Sequence, residues 1–440
     1  MSQLKEKLAL LPNTAALNGQ GHLTVGGCDT VELASEFGTP LYVLDEATLR
    51  QMCAEYRQEF RQRYTDTLVL YAAKAFLCRA MASIVKEEGL GLDVVSGGEI
   101  AIARSVDFPM DKVYLHGNNK LREEIELAVN SGVGRIVVDN LYELSLLNDI
   151  AREAGVTQSI LLRLTPGIDP HTHRYIATGN IDSKFGLSIA SGQAEEAVVK
   201  AVAAPNVNLV GLHMHIGSLI STPKPYLEAI KVVFQFAAGM RDKHGFAFGE
   251  FNCGGGYAVQ YTQDVPAIAT SEFAEAITAA VLDETREKGF ALPRLLVEPG
   301  RAIVGRAGLA LYKVGAIKDI PGVRRYVSVD GGMADNIRPA LYGSGYEAIV
   351  ANKVEEDEVE QVTIAGKFCE SGDILIRDIR LPELVAGDII AVPVSGAYSL
   401  SLASNYNASL KPAIVLVSEG KVRLIRRRET YEDLMRCDLP

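Results

Sequence analysis

Short apolar runs alternate with stretches of helical periodicity over residues 68–298. Between the runs, apolar residues recur three or four positions apart, as on one buried face of a helix. This pattern predicts helices over 99–106, 122–130, 141–154 and 271–288. Eight alternating units favour an α/β fold with a closed, TIM-like (β/α)8 barrel, although periodicity alone leaves a doubly wound open sheet possible. The predicted strands are 68–73, 90–95, 112–116, 135–139, 159–164, 208–213, 250–253 and 294–298.

A different pattern follows Arg306, where strand-like runs are separated by turn signals and helical stretches are few. It predicts a C-terminal all-β sandwich or barrel domain that the short strands of residues 1–40 could join. We therefore assign residues 41–305 to the barrel domain and residues 1–40 with 306–440 to the β domain. A helix over 46–63 is predicted to begin after Asp45, a good N-cap residue. The predicted strands of the β domain are 309–317, 326–329, 359–364, 389–394, 413–417 and 422–426.

Composition and charge narrow the possible classes of protein. The 440 residues carry a net charge of −11 and contain no basic block that could neutralise phosphates, which argues against a nucleic-acid partner. The six cysteines are scattered without a CxxC pair, which favours free thiols in a reducing compartment. The first residues lack the apolar core of a signal peptide, and no run of about 18 apolar residues occurs. We therefore expect a soluble, cytoplasmic protein that has no membrane contact.

Polar and glycine residues gather where the eight predicted strands end. In a (β/α)8 barrel these ends lie on one face, where the active site is built. A strand-end lysine such as Lys74 is more often solvated, so it gains significance only from its neighbours. The residues concerned are Lys74, Asp93, the segments 96–99 and 116–120, Asp139, the segments 165–167, 213–218 and 254–257, and the segment 298–301.

The glycines at 254–256 predict a phosphate cradle, because glycine lets backbone N–H groups approach an anion. Alone they would indicate a tight turn, but Arg301 follows the eighth strand, and barrels often bind phosphate after strands seven and eight. With Lys74 and Glu298, the cradle indicates pyridoxal phosphate. Lys74 would hold it as a Schiff base, and Glu298 would keep the pyridine nitrogen protonated.

Two histidines stand two residues apart at the end of the sixth strand. We expect their side chains to point away from each other, so they could not both enter one site without a bend in the strand. This argues against a zinc site formed by the pair. We expect His215 to lie flat against an aromatic ligand and His213 to be a packed core histidine.

The β domain carries a second group of candidate residues. Arg338 and Tyr342 lie four apart, and Pro339 suits the start of a helical turn, so both could share one face. Taken alone, Arg338 would more often form a surface ion pair. The Cys369-Glu370 pair would also be unremarkable in an isolated turn.

Nine motifs, in this order along the chain, make it resemble the diaminopimelate decarboxylases. They are YAAKA (71–75), HGNNK (116–120), DSKFG (182–186), HMHIGS (213–218), GGGY (254–257), EPGR (298–301), DGGMADNIRPALY (330–342), CESGD (369–373) and GAYS with SNYN (396–399 and 404–407). The resemblance covers about residues 41–417. It implies a fold-type-III pyridoxal-phosphate enzyme, an alanine-racemase-like barrel with a β-sandwich domain, that acts as a homodimer. The implied reaction is the decarboxylation of meso-2,6-diaminopimelate to L-lysine and carbon dioxide, the last step of lysine biosynthesis.

The resemblance also implies a role for each matching residue. Lys74 would hold the cofactor and His215 would stack on its ring, with Glu298 facing the pyridine nitrogen. Cys369 would donate the proton that replaces carbon dioxide, and Glu370 would bind the distal amino group of the substrate. The family places Cys369 and Glu370 in the partner's active site. The cofactor-binding residues would further include Asp93, Ser218, Gly255, Gly256, Gly300, Arg301 and Tyr398, and the substrate-binding residues would be Arg301, Arg338, Tyr342, Glu370 and Tyr398.

Three residues depart from the family pattern, and three other functions remain open. Leu219 stands where glutamine is common, Ser399 where glycine is usual, and Cys253 where a small or aliphatic residue is more common. One alternative is a decarboxylase of another diamine-acid such as carboxynorspermidine, or one of broad specificity, and the set of Arg338, Tyr342 and Glu370 argues against it. Another is an amino acid racemase, which usually lacks the CESGD turn. The third, a catalytically inactive regulator, would have lost Lys74 or Cys369.

Overall fold

A computed structural model describes residues 7–168 and 183–439. The chain forms two compact units, here called the barrel unit and the β unit. The barrel unit comprises Cys53–Ala258 and Ile268–Gly300, and the β unit comprises Met1–Met52, Val259–Ala267 and Arg301–Pro440. No helix in the described ranges is long and apolar enough to cross a membrane.

The strands, numbered in chain order, are β1 (Ala16–Leu17), β2 (Leu23–Val25), β3 (Cys28–Asp29), β4 (Leu41–Asp45), β5 (Thr67–Ala72), β6 (Gly91–Val94), β7 (Val113–Leu115), β8 (Arg135–Val138), β9 (Gln158–Thr165), β10 (Leu187–Ser188), β11 (Val207–Met214), β12 (Glu250–Asn252), β13 (Arg294–Val297), β14 (Gly308–Ile320), β15 (Arg324–Val329), β16 (Ile349–Val350), β17 (Glu360–Ala365), β18 (Ile374–Leu381), β19 (Ile389–Val392), β20 (Ala413–Ser418) and β21 (Lys421–Arg426). The α-helices are Thr30–Phe37, Glu46–Arg63, Arg79–Glu87, Gly97–Arg104, Arg122–Asn130, Leu141–Glu153, Gln193–Ala203, Lys224–His244, Thr270–Lys288, Arg301–Val304, Arg338–Tyr342 and Tyr431–Met435.

The barrel unit is a closed barrel of eight parallel strands, as the sequence predicts. Its strands run in the order β5, β6, β7, β8, β9, β11, β12 and β13, and β13 pairs with β5 to close the ring. The short strand β10 pairs with β9 at the side. Inward-facing apolar side chains fill the interior, so the barrel is a packed core. They include Leu70, Tyr114, Val137, Leu161 and Leu296.

Local capping chemistry explains where the barrel helices begin and end. The Ser96 side chain accepts from the Glu99 amide, so the helix predicted over 99–106 starts at Gly97. Asn140 caps helix Leu141–Glu153 in the same way. Gly245 has φ +68° at the end of helix Lys224–His244, a left-handed C-cap that favours glycine.

The β unit contains a nine-stranded sheet with β14 and β4 in its middle. Its main path is β18, β17, β15, β14, β4, β20 and β21, while β19 joins β14 and β16 joins β19. The C-terminal β domain and its six predicted strands are thus confirmed. Strands β1 to β3 form a separate small sheet.

Strand β4, the first strand of the nine-stranded sheet in chain order, changes the domain boundary that the sequence suggests. The sequence places residues 41–305 in the barrel domain, whereas β4 pairs antiparallel with β14 and parallel with β20 in the β unit. Residues 259–267 and 301–305 also belong to the β unit. All five residues of β4 are buried, as in a barrel strand, so burial pattern alone could not separate the two positions. Asp45 still caps the following helix, accepting from the Thr48 amide at 3.1 Å.

Strand β18 is a strand that the sequence did not predict. Its centre carries Arg377 and Asp378, and Asp378 has φ +54°, which interrupts the apolar alternation. The pairing with β17 shifts register near this point. A bulge therefore interrupts the alternation of apolar and polar residues by which a strand is predicted.

Candidate active site

Lys74 lies in a single 3-10 turn, Ala73–Ala75, directly after strand β5. Its Nζ atom is 3.5 Å from Oδ2 of Asp93, and the Asp93 side chain is only 1% exposed. A buried carboxylate needs a counter-charge, and this lysine supplies one. Lys74 is therefore an ion-pair partner of a buried carboxylate, and 42% of its side chain remains accessible.

Glu298 follows strand β13, and three polar side chains lie against its carboxylate. The Asn252 side-chain amide donates to Oε1 at 2.7 Å. Nε2 of His116 lies 3.1 Å from Oε1, and Nε2 of His213 lies 3.3 Å from Oε2. Burial acts to raise the pKa of Glu298, but His116 and His213 hold it well below its usual value. The barrel unit thus contains a buried carboxylate that is an anion.

The two strand-end histidines occupy different environments. His213 is buried as predicted, but it contacts Glu298 and is more than a packed core residue. Burial lowers its pKa to about 4. His215 comes after β11 has ended, and burial lowers its pKa well below the usual value as well. Its Nδ1 atom has no hydrogen-bond partner within the described ranges. Both rings are therefore neutral at pH 7.

The side chains of His116, His213 and Glu298 also form a group whose geometry could hold a metal ion. Their ligand atoms lie within 4.8 Å of one another. This trio differs from the His213 and His215 pair considered in the sequence. Sequence reasoning missed His116 and Asn252 as partners of Glu298, although both stand at strand ends where polar residues were already evident.

The glycines after strand β12 are fixed by close backbone packing. A Cβ atom on Gly255 would lie 2.0 Å from the carbonyl oxygen of Glu298. On Gly256, whose φ is +113°, it would lie 2.2 Å from the carbonyl oxygen of Gly217. The Gly255 carbonyl accepts from the Tyr226 hydroxyl at 2.9 Å. Only glycine fits this loop, as an anion cradle made of backbone requires.

Two further predicted residues lie in the same unit. Gly300 packs against β5, since a Cβ there would be 2.9 Å from Cβ of Ala72. Ser218 and His215 line a cavity of about 330 Å³. The cavity is also lined by Arg163, Thr165 and Phe185. The barrel unit therefore brings together Lys74, Asp93, Glu298 and the glycine loop, and it places Ser218 and His215 beside an open cavity.

We expect Gly255→Ala to lower the free energy of unfolding by about 1–3 kcal/mol and to weaken cofactor binding, because its methyl group would collide with backbone. Urea unfolding and a cofactor titration measure the two effects. Gly239→Ala is the matched control. Gly239 lies in helix Lys224–His244 with nothing within 4 Å, so alanine there should stabilise by about 0.5–1 kcal/mol. Parent-like stability and affinity of Gly255→Ala would show that the loop can move aside.

The β unit holds a second group in which two arginines share one tyrosine. Arg301 donates to the Tyr261 hydroxyl at 2.7 Å and lies 4.5 Å from the centre of the Tyr398 ring. Arg338 lies 4.5 Å from the centre of the Tyr261 ring and donates to the Tyr346 hydroxyl at 2.6 Å. The Arg338 side chain is buried rather than at the surface. Sequence reasoning missed Tyr261 and Tyr346, because no strand-end signal marks them.

Three other predicted residues of the β unit are accessible. Helix Arg338–Tyr342 forms as predicted, but Tyr342 is 65% exposed while Arg338 is buried. Cys369 and Glu370 are exposed in a turn organised by Asp373, which accepts from the Phe368 amide at 2.8 Å. The Cys369 amide donates a hydrogen bond to Oδ1 of Asn407 at 3.2 Å. The turn is thus held by hydrogen bonds from its backbone amides, and Cys369 and Glu370 remain exposed.

Of the three departures from the family pattern, two lie in the interior. Ser399 is buried, and its Oγ has no hydrogen-bond partner in the described part of the chain. Cys253 is buried with its Sγ 3.9 Å from the Tyr257 hydroxyl, and burial raises its pKa to about 12. Leu219 is exposed and has φ +57°.

Comparison with known proteins gives matches over nearly the whole chain. Residues 46–305 match the pyridoxal-binding domain of the pyridoxal-dependent decarboxylases. Diaminopimelate decarboxylase of Bacillus subtilis is 46% identical, covering 98% of each chain, and that of Halalkalibacterium halodurans is 47% identical, covering 97% of each. A crystal structure of diaminopimelate decarboxylase from M. jannaschii in complex with L-lysine superposes with a TM-score of 0.92. It is 37% identical and covers 98% of each chain.

The barrel residues fit pyridoxal phosphate on structural grounds. The glycine loop leaves no space for side chains, His215 presents a buried nitrogen that lacks a partner, and Glu298 is a buried anion. A phosphate, an aromatic ring and a protonated ring nitrogen would satisfy these three features in turn.

Proposed function

The chain belongs to the diaminopimelate decarboxylase family of pyridoxal-dependent decarboxylases, and from this premise we propose that it converts meso-2,6-diaminopimelate to L-lysine and carbon dioxide. This is the last step of lysine biosynthesis. The observation that carries the reaction type is Glu298, a fully buried carboxylate kept anionic by its neighbours. Its negative charge supports a protonated pyridine ring.

We propose that the chain binds pyridoxal phosphate. When bound, the cofactor provides an electron sink for the electron pair released as the bond to the carboxylate breaks. Lys74 would hold it, with Asp93 as the counter-charge of the lysine, and His215 would lie against its ring. The other cofactor-binding residues in this assignment are Ser218, Gly255, Gly256, Glu298, Gly300, Arg301 and Tyr398.

The substrate has an amino group and a carboxylate at each end, so its distal end needs both an anion and cationic or hydroxyl donors. We assign Glu370 to the distal ammonium and Arg338 with Tyr342 to the distal carboxylate. Arg301 and Tyr398 would contact the substrate as well. The contact of Arg338 with Tyr346 and Tyr261 supports this assignment, because it fixes the guanidinium before substrate arrives.

Cys369 would deliver a proton to the carbon that has lost carbon dioxide. A thiol holds its proton at neutral pH and can release it to a strongly basic carbon. Cys369, Glu370 and Tyr342 are all exposed in the single chain. We propose that they reach an active site in a homodimer, with Cys369 and Glu370 acting in the site of the partner.

We propose the cytoplasm as the location of the enzyme. None of the six cysteines, which all lie in the described ranges, forms a disulfide bond, as expected in a reducing compartment.

A carbon dioxide release assay tests the proposed reaction. The holoenzyme is offered meso-diaminopimelate and, separately, lysine, ornithine and arginine. We expect release from diaminopimelate at least about a hundredfold faster than from the others, because a buried Arg338 without a carboxylate partner rejects a shorter diamino acid. Comparable rates on ornithine or lysine would contradict the substrate assignment. Retention of the cofactor without any release would contradict the reaction itself.

A further inference from the structure

Two buried histidines without an assigned role flank the carboxylate of Glu298. His116 follows strand β7 and His213 lies within β11, and their rings meet edge to face with centroids 4.9 Å apart. Nε2 of His116 is 3.1 Å from Oε1, and Nε2 of His213 is 3.3 Å from Oε2. Each histidine therefore faces a different oxygen of the same carboxylate.

The contacts of His213 indicate which of its nitrogens carries the proton. An ionised carboxylate only accepts hydrogen bonds, so Nε2 of His213, which faces Oε2, is the N–H donor. Nδ1 of His213 has no hydrogen-bond partner within the described ranges, which agrees with that tautomer. Burial lowers the pKa of His213 to about 4, so this ring is neutral at pH 7.

His116 also connects Glu298 to the lysine side of the site. Its Nε2 atom lies 3.7 Å from Oδ1 of Asp93, and Oδ2 of Asp93 lies 3.5 Å from Nζ of Lys74. The amide of Asn252 completes the set of donors around Glu298. Two carboxylates thus lie against the same imidazole ring, which limits how far either can rotate.

We propose that His116 and His213 are positioning residues that hold Glu298 as an oriented anion, His213 through the N–H of its neutral ring and His116 by its place against the other oxygen. An arginine or lysine could orient the carboxylate equally well. Its positive charge, however, would cancel the negative charge that favours a proton on the facing ring nitrogen. The neutral ring of His213 and the amide of Asn252 each satisfy one buried oxygen and leave the net charge in place. The inference rests on the proposed function only in that Glu298 faces the cofactor nitrogen, and it requires no particular substrate.

Paired substitutions test the donor role separately from packing. His213→Leu and His116→Leu remove the imidazole at similar volume, whereas His213→Gln and His116→Gln retain a polar N–H group. His244→Gln is the control, since His244 is a surface residue paired with Glu195 at 3.0 Å. The measurements are the dissociation constant of pyridoxal phosphate and the pH at which the visible spectrum of the bound cofactor changes.

We expect the leucine variants to bind the cofactor roughly ten- to a hundredfold more weakly, the range for a lost hydrogen bond to a charged group. In these variants, the pH at which the visible spectrum of the bound cofactor changes should shift by about one unit or more. The glutamine variants should recover most of both properties, and His244→Gln should match the parent. Thermal unfolding of the cofactor-free variants identifies any that fail to fold. If a leucine variant fails, the glutamine variant at the same position and the leucine variant of the other histidine provide the test.

Three results would overturn the proposal. Folded leucine variants with parental affinity and spectrum would show that the donors are dispensable. Glutamine variants as impaired as leucine variants would indicate a packing role. Zinc bound tightly by the cofactor-free protein and lost in His213→Leu would identify the histidines as metal ligands. A parent that binds pyridoxal phosphate but leaves diaminopimelate intact refutes the proposed function alone, since these readouts follow the cofactor.

Discussion

Lys74→Ala is expected to lose its turnover by at least about a thousandfold and to lose the covalently held cofactor with it. The reason is local. Lys74 is the cation placed against the buried carboxylate of Asp93, 3.5 Å away, at the end of strand β5. Carbon dioxide release measures the turnover, and the visible absorbance of the dialysed protein measures the cofactor.

Two variants make this result specific. Lys74→Arg keeps the positive charge beside Asp93 but cannot form the same covalent bond, so it should remain folded and inactive. Lys200→Ala removes an exposed lysine from helix Gln193–Ala203 and should behave as the parent. A Lys74→Ala protein that keeps the absorbance band after dialysis would mean that another group holds the cofactor.

Cys369→Ala should lose roughly a hundredfold or more of its turnover while it binds the cofactor normally, because only proton delivery is removed. Carbon dioxide release and a cofactor titration separate the two properties. Cys437→Ala, which alters the other exposed cysteine, should leave both unchanged. Parental turnover in Cys369→Ala would show that a different group supplies the proton.

The two inactive variants also test whether active sites are shared between subunits. If Cys369 acts in the partner's site, a mixture of Lys74→Ala and Cys369→Ala chains that exchange subunits should regain about a quarter of the parental activity. Random pairing makes half of the dimers mixed, and each mixed dimer has one complete site of two. Sites built from single chains would regain none, which would contradict the shared-site proposal.

Most of the barrel could be predicted because each of its strands is a short apolar run bounded by polar or glycine residues. Strand β4 was assigned to the wrong unit, since five consecutive buried residues look alike in a barrel and in the middle of a mixed sheet. Strand β18 escaped prediction because Arg377 and Asp378 interrupt its alternation at a bulge. In both cases the missing information was the identity of the pairing partner, which depends on residues far away in the chain.

The candidate site also contains residues that the sequence could predict and residues that it could not. Lys74, Glu298 and the glycine loop could be found because they follow predicted strand ends, and the structure places them together in the barrel unit. His213 was underestimated and Tyr261 was missed, because their roles depend on contacts with Glu298, Arg301 and Arg338. Periodicity indicates which face of an element is buried but not which charged group lies opposite.

Strand β4 has a consequence for how the chain is made. It emerges from the ribosome among the first fifty residues, yet its two neighbours, β14 and β20, are synthesised only after the whole barrel. Until then its apolar residues have no sheet to complete, and an unpaired strand edge invites association with other nascent chains. Loss of the C-terminal residues from 413 onward would leave β4 with one exposed edge. A premature stop codon near the end of the coding sequence would therefore destabilise one of the first strands to be synthesised.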